Sequence, residues 1–253
     1  MPADDYDELA SVYDWIVPDE LLTPEGSAAA FAAFLGDLPP GARVLDCACG
    51  TGPLAVGLAL RGFAVTATDA SPGMVERTRA LAAEREVAVD TRVVRWEELD
   101  GLGLEPFDAV LCVGNSLAHA PGRDARRAAL RAMARMLGSG GVLVLTSRNF
   151  ELMRAAATGL QVFDHVVERD GRRGVVIYSW WLAREWEDEH AFDVAVALLG
   201  DDGAVTTRGE RLRFWPFSHA TLREDLRAAG LEPETSTYAP DVDRYAVVAR
   251  RRG

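Results

Sequence analysis

Leu45-Asp46-Cys47-Ala48-Cys49-Gly50-Thr51-Gly52-Pro53 is the stretch on which the fold turns. The run Arg43-Val44-Leu45 leads into it, a loop of small residues with two glycines fills it, and a helix-like run, Leu54 to Leu60, leads out. Seventeen residues past Gly52, after a second apolar run at 63–68, stands Asp69. Strand, tight glycine loop, helix, strand, acid is the plan of a nucleoside-binding half-sheet. Glycines let the backbone come close to a ligand, and the helix start offers unpaired N–H groups. Asp69 can accept two hydrogen bonds from a ribose diol. A glycine turn in an unrelated α/β domain would not need an acid at that spacing.

Two ligands suit this plan. As G-x-G-x-x-A, through Gly50, Gly52 and Ala55, the loop reads as a nicotinamide dinucleotide fingerprint. Asp46, four residues before Gly50, argues for the other. A carboxylate there repels a pyrophosphate but attracts a cation. S-adenosyl-L-methionine (SAM) carries a sulfonium and an ammonium and no phosphate, so charge favours SAM.

The chain has 253 residues, enough for one large domain or a domain with an insertion, and 49% of them are hydrophobic, enough for a sizeable core. A net charge of −12 argues against nucleic acid or an anionic membrane surface as partner. Arg250-Arg251-Arg252 is too short to reverse that. There is no lysine, so all 27 basic residues are arginine. This excludes a pyridoxal Schiff base, a lysine nucleophile and a Walker A lysine. Cys47, Cys49 and Cys112, an odd set with no signal peptide, suit a reducing cytoplasm. Cys47 and Cys49 have no second Cys/His pair at ligand spacing, so no metal is expected. No apolar run reaches membrane-span length.

Around the loop the pattern alternates. Helices are expected at 53–61, 72–85 and 123–137, and strands at 42–47, 63–68, 87–94, 107–113 and 141–147, punctuated by Gly62, Ser71-Pro72 and Gly138-Ser139-Gly140-Gly141. This predicts a Rossmann-like, seven-stranded, mostly parallel sheet with helices on both faces. Ligands of such sheets sit at the carboxyl ends of the strands. Asp46, Asp69, Trp96 and Asn115 all fall there. Ahead of the sheet, Tyr6, Leu9, Tyr13, Trp15 and Ile16 group apolar side chains on a helix, and Thr23-Pro24-Glu25 starts an Ala-rich one through 27–35. After a helix at 150–157, segments 161–169, 174–186, 190–199 and 204–215 read as an antiparallel meander. Helix 218–229 and strands 232–239 and 243–250 finish the sheet. Three units follow: 1–150 for N-terminal helices and cofactor core, 151–216 for a β-rich insertion, 217–253 for completion. The insertion suits a substrate lid, an oligomerisation element, or both.

Leu45 to Gly52, followed by Val65-Thr66-Ala67-Thr68-Asp69-Ala70-Ser71-Pro72-Gly73-Met74, resembles the class I SAM-dependent methyltransferases over 42–150. Arg95-Trp96-Glu97-Glu98-Leu99, Gly114-Asn115-Ser116-Leu117-Ala118-His119 and Ser147-Arg148-Asn149-Phe150 resemble the glycine N-methyltransferase group and its bacterial amino-acid-methylating relatives. Beyond 150 the likeness thins to Arg213-Phe214-Trp215-Pro216. The resemblance implies that the loop with Asp46, Gly50 and Gly52 passes the methionyl part of SAM and that Asp69 holds the ribose. It implies Met74 packed on adenine with Trp96 beside it, and Ala70, Arg95 and Val113 completing the cofactor set. On the acceptor side it implies Arg148 gripping a carboxylate with Asn115 near the same substrate, and Tyr13 and Trp215 as further acceptor residues. A guanidinium suits two parallel bonds to a carboxylate; the competing expectation is that Arg148 pairs with an internal acid, Asp46 or Asp108.

The departures are informative. The family has a tyrosine where this chain has Trp215, and the insertion carries Trp180, Trp181, Trp186 and the acidic run Glu185 to Glu189. Glycine needs no such bulk, so a larger carboxylated amine is the expected acceptor. Catalysis falls to Asn115 and His119, with His219 a second candidate base. An amine acceptor needs little acid–base help, because holding nucleophile, methyl and sulfur in line does most of the work. A hydroxyl acceptor, the alternative, needs a base more. A SAM-binding protein that acts on a partner without catalysis is the reading from a different class. A small amine or hydroxyl acceptor, possible homo-oligomers, and no nucleic acid or membrane complete the expected partners.

Overall fold

A computed structural model describes residues 13–36, 38–156 and 159–252. Tyr6 and Leu9 lie outside those residues. Tyr13–Trp15 form a short 3-10 turn, and Ile16 lies just past it. Helices α1 (Asp19–Leu22) and α2 (Pro24–Leu35) follow, with Thr23 Oγ1 accepting from the Gly26 N–H to cap α2.

The main sheet is built from β1 (Arg43–Asp46), β2 (Ala64–Asp69), β3 (Asp90–Val93), β4 (Phe107–Cys112), β5 (Leu137–Arg148), β11 (Leu231–Ser236) and β12 (Arg244–Arg251), in the order β11-β12-β5-β4-β1-β2-β3. Only β12 runs against the others. This is the expected Rossmann-like, mostly parallel sheet. Strand order reverses between β1 and β4, so a crevice opens beyond their carboxyl ends.

Two-residue periodicity sends alternate side chains into separate cores. Val44, Leu111, Val144 and Val248 face one core with α2 and α3 (Pro53–Leu60). Leu45, Val110, Leu145 and Val247 face the other, which α5 (Gly122–Met136) covers. Helix α4 (Pro72–Glu84) begins at Ser71, whose Oγ accepts from the Met74 N–H. The glycine-rich 138–141 segment, expected as punctuation, lies inside β5. Pairing jumps there from Phe107↔Leu137 to Ala109↔Val142, so the segment loops out without ending the strand.

After α6 (Phe150–Ala156) comes a second sheet: β6 (Leu160–Val162), β7 (Val167–Arg169), β8 (Arg172–Trp181), β9 (His190–Leu199) and β10 (Val205–Phe214). The expected 161–169 strand is thus two short ones, pairing with opposite halves of β8. The inner face, with Val176, Tyr178, Trp180, Val194, Val196, Leu212 and Phe214, joins the α5-side core. Helix α7 (His219–Ala228) docks on α5 through Asp225, fully buried, which accepts from Arg123, Arg126 and Arg127. The 13–21 segment crosses between the sheets. Asp14 pairs with Arg77 of α4, Asp19 pairs with Arg169 of β7, and Trp15 packs on Gly174 of β8.

Candidate functional site

A cavity of about 200 Å³ lies at the carboxyl ends of β1, β2, β4 and β5. The 13–21 segment and the inner face of the second sheet form its other walls, through Tyr13, Ile16, Leu21, Tyr178, Phe192 and Leu212.

One end has the chemistry of a nucleoside cradle. Asp69, at the tip of β2, accepts from the Gly50 N–H with one oxygen and from the Ser71 N–H with the other, each at 3.0 Å. Burial pushes its carboxyl up, and bonds from Ser71, Gly50 and Ala70 oppose that. The acid therefore also ties the glycine loop to β2. Gly50 has φ +54°, and a side chain there would point toward Tyr13, 3.9 Å away, into the space a ligand would take. Met74, Ala70, Arg95 and Trp96 line the same end. The Trp96 indole N–H donates to the Cys47 carbonyl at 2.8 Å, which fixes the ring's plane against the loop.

Three of the expected cofactor residues do not line the cavity. Gly52 packs against α4, where a Cβ would sit 2.8 Å from Thr78; it serves the loop's close approach to the helix. Val113 turns to the opposite core, on the α2 side. Asp46 lies beneath the loop, 1% exposed. One of its oxygens accepts weakly from the Ala48 N–H at 3.4 Å, and the other has no hydrogen-bond partner among the described residues. Burial raises its carboxyl to about 7, and Asp69 adds to the effect.

The other end is cationic and aromatic. Arg148 closes β5 with its side chain 18% exposed, its guanidinium carbon 5.2 Å from the Trp180 ring centre. Neither internal acid holds it. Asp108 accepts from the Arg43 N–H, and among the described residues the Arg148 guanidinium meets one acid, Asp243, at 3.7 Å. Burial pulls it down to about 10, and the charge of Arg244 adds to that. Asn115 sits in the left-handed region at φ 72°, and its Oδ1 accepts from the Arg148 N–H at 3.0 Å. Asn is among the few non-glycine residues that adopt this region readily, so the turn can set its side chain against the end of β5. His119 lines the cavity and bonds through Nδ1 to the Arg213 carbonyl at 2.6 Å. A carbonyl only accepts, so Nδ1 carries the proton of that bond. Tyr13 lines the cavity, its phenol raised to about 12 by burial and by Asp69.

Two acceptor-side expectations fall away from the cavity. Trp215 lies just past the end of β10, half-buried and outside the cavity lining, with its backbone N–H donating to the Ala118 carbonyl at 2.7 Å. His219 stacks on Tyr238 at 4.2 Å and bonds Ser236, outside the lining.

A Methyltransferase domain model matches residues 44–141, the span that carries the loop, Asp69 and Asn115. Glycine N-methyltransferase of Oryctolagus cuniculus is 33% identical over 204 residues, covering 74% of this chain and 68% of the relative. The chain belongs to the class I SAM-dependent methyltransferases. A ubiquinone biosynthesis O-methyltransferase of Xanthomonas campestris pv. campestris (strain B100) is 42% identical to this methyltransferase over 110 residues, 44% of each chain. The sugar N-methyltransferase KedS8 from Streptoalloteichus sp ATCC 53650 superposes with TM-score 0.68 and 26% identity, over 97% of this chain and 93% of that one. SAM is the methyltransferase's cofactor. The residues present fit it: a loop open at Gly50, a carboxylate at ribose position, soft apolar walls, and an unpaired buried Asp46 oxygen beneath the loop. Among the described residues, no helix is long and apolar enough to cross a membrane.

Sequence reasoning missed Ile16, Val17, Pro18 and Leu21, and also Tyr178, Phe192, Leu212 and Arg244, all of which line the cavity. The meander's alternation marks Tyr178 as inward-facing. Arg244 opens β12, and only that strand's pairing with β5 brings it beside Arg148.

Proposed function

We propose that this methyltransferase moves the SAM methyl group to the amine of a small acceptor that bears a carboxylate. The observation that carries the reading is Arg148. It is three-quarters or more buried, lines the same cavity as Asp69 from a different strand end, and among the described residues is met by no buried acid. Its planar fork matches a carboxylate. The glycine N-methyltransferase relative, itself named for a carboxylated amine, supports the same class.

SAM supplies an electrophilic methyl on a sulfonium. The acceptor nitrogen's lone pair forms the new N–C bond, the S–C electron pair stays on sulfur, and the amine proton leaves to solvent or a nearby acceptor. The chain's part is alignment. Arg148 holds the carboxylate, Asn115 fixes the Arg148 backbone, and Tyr13 and His119 border the nitrogen's side of the cavity. We read segment 151–216 as the acceptor-side unit, since its Tyr178, Phe192 and Leu212 narrow the space to something wider than glycine. One observation favours O-methylation as a second reading: His119, a side chain able to act as a base, lines the cavity, and the Xanthomonas relative is an O-methyltransferase.

Methyl-labelled SAM with paired acceptors, each amine with and without its carboxylate amidated, tests the proposal. Arg148→Gln should raise the acceptor KM at least tenfold with SAM affinity within about twofold, as expected for losing charge-assisted bonds. Amidation should cost the native enzyme the same factor and the variant little. Equal discrimination by both enzymes overturns the carboxylate reading; turnover confined to hydroxyl acceptors overturns the amine.

A further inference from the structure

Arg148 has a second arginine directly across from it. In the antiparallel pairing of β5 and β12, Arg244 is its register partner, so both side chains leave the same face of the sheet at its ligand edge. Both line the cavity. Like charges placed directly opposite on neighbouring strands destabilise a sheet. The only acid within ion-pair distance of either, among the described residues, is Asp243. It is 3.7 Å from the mostly buried Arg148 and 3.8 Å from Arg244, with its own side chain 73% exposed and that of Arg244, at the cavity's rim, 49% exposed. One solvated carboxylate at that range does not balance two guanidiniums. The two arginines also converge on common neighbours. The Arg148 guanidinium carbon lies 6.0 Å from the Tyr178 ring centre, and Tyr178 and Tyr13 line the same cavity as both arginines. On a chain of net charge −12, a cavity corner holding two cations is arranged against the general field of the molecule. One fork suffices for a single carboxylate, and a second fork alongside offers a matching partner to a second negative charge.

We propose that Arg148 and Arg244 form a two-guanidinium clamp, so that the methyl acceptor carries two adjacent negative charges, on one phosphoryl group or on two neighbouring carboxylates. This rests on the acceptor-side reading of Arg148 above and extends it. Arg244 is then a specificity residue. It separates dianionic acceptors from amines with a single carboxylate, which Arg148 would hold alone.

The test uses the full chain saturated with S-adenosylhomocysteine, and acetate, succinate and inorganic phosphate as probes, at a pH where phosphate carries two charges. Affinities are read by calorimetry on the native protein, Arg244→Gln, Arg244→Lys and Arg148→Gln, with S-adenosylhomocysteine affinity as the control for an intact fold. Succinate or phosphate should bind the native protein about ten- to a hundredfold more tightly than acetate. Arg244→Gln should erase that gap and leave acetate within about twofold, and Arg244→Lys should restore part of it, keeping charge without the fork. Whichever dianion shows the gap tells two carboxylates from one phosphoryl group. No gap in the native protein, a gap that survives Arg244→Gln, or no binding of any probe overturns the clamp. Acetate binding unchanged by Arg148→Gln sinks the carboxylate reading instead, and that outcome is read independently of the Arg244 gap.

Discussion

Asp46 does two opposed things. It is held almost dry beneath the glycine loop with half of its hydrogen-bonding capacity unused, and burial raises its carboxyl from 3.8 to about 7. Between those values the folded state binds more protons than the unfolded one, so the stability of the cofactor-free protein should fall as pH rises from about 4 to about 7. The loss is on the order of a few kcal/mol at most. Asp46→Asn should flatten that window; melting curves of the two proteins that run parallel across it would rule the account out. SAM brings positive charge close to the loop, so binding near neutral pH should release a proton, seen as a buffer-dependent heat that Asp46→Asn abolishes. At this scale the sequence was informative about chemistry and weak about direction. Asp69, Met74 and Trp96 could be placed because the loop and strand lengths set where they emerge. Gly52, Val113 and Trp215 could not, because which side of a tight turn or strand end a residue faces depends on the packing of helices distant in sequence. The same distance hides Asp69's second job, bonding the Gly50 N–H.

Among the elements, the α5–α7 junction is built around a charge. Asp225 accepts from the Nε atoms of Arg123, Arg126 and Arg127 at 2.9, 2.9 and 2.7 Å. Arg126 is itself 1% exposed, and neither of its terminal nitrogens has a hydrogen-bond partner among the described residues. Its guanidinium carbon lies 4.8 Å from the Phe217 ring centre. Burial pushes the Asp225 carboxyl up, but the three guanidinium bonds outweigh it and the net direction is down. Asp225→Asn would leave Arg126 buried without a counter-charge and should cost about 3–5 kcal/mol. Urea unfolding checks this, and a loss within about 0.5 kcal/mol, as at an ordinary surface position, would show that the cluster is decorative. Helices and strands were legible to within a few residues wherever apolar periodicity ran long, as in α4, α5 and β9. Legibility failed at 138–141, where glycines that usually end a strand instead loop out between two paired stretches, and at 161–169, where a single β-like run splits. In both places strand partners, not local propensity, set the outcome.

At the scale of the molecule, the 13–21 segment looked from its sequence like a preface to the fold and is instead one of the walls of the site. No local signal marks that, because its partners, Arg77, Arg169 and Gly174, lie far along the chain. Trp15 is 6% exposed and its ring edge fills the space above Gly174, where a Cβ would come within 2.8 Å. Gly174→Ala should therefore dislodge Trp15 at a cost of about 1–3 kcal/mol to the segment's attachment. The expected readouts are faster hydrogen exchange across 13–21 and weaker SAM binding, with the global melting transition kept. Unchanged exchange in the segment would mean that the wall does not depend on Trp15.

That wall has a kinetic consequence. It hangs from side-chain ties, Asp14 to Arg77 on the cofactor side and both Asp19 and the Asp14 carbonyl to Arg169 on the second sheet, together with Trp15 packed on Gly174, and has no strand pairing of its own. Such attachments come loose far more often than a sheet does. A product leaving past this wall waits for thermal detachment, and the wait lengthens in viscous solvent and shortens as salt screens the ties. Turnover then has a clock set by how long the latch stays shut, separate from the speed of the bond exchange within.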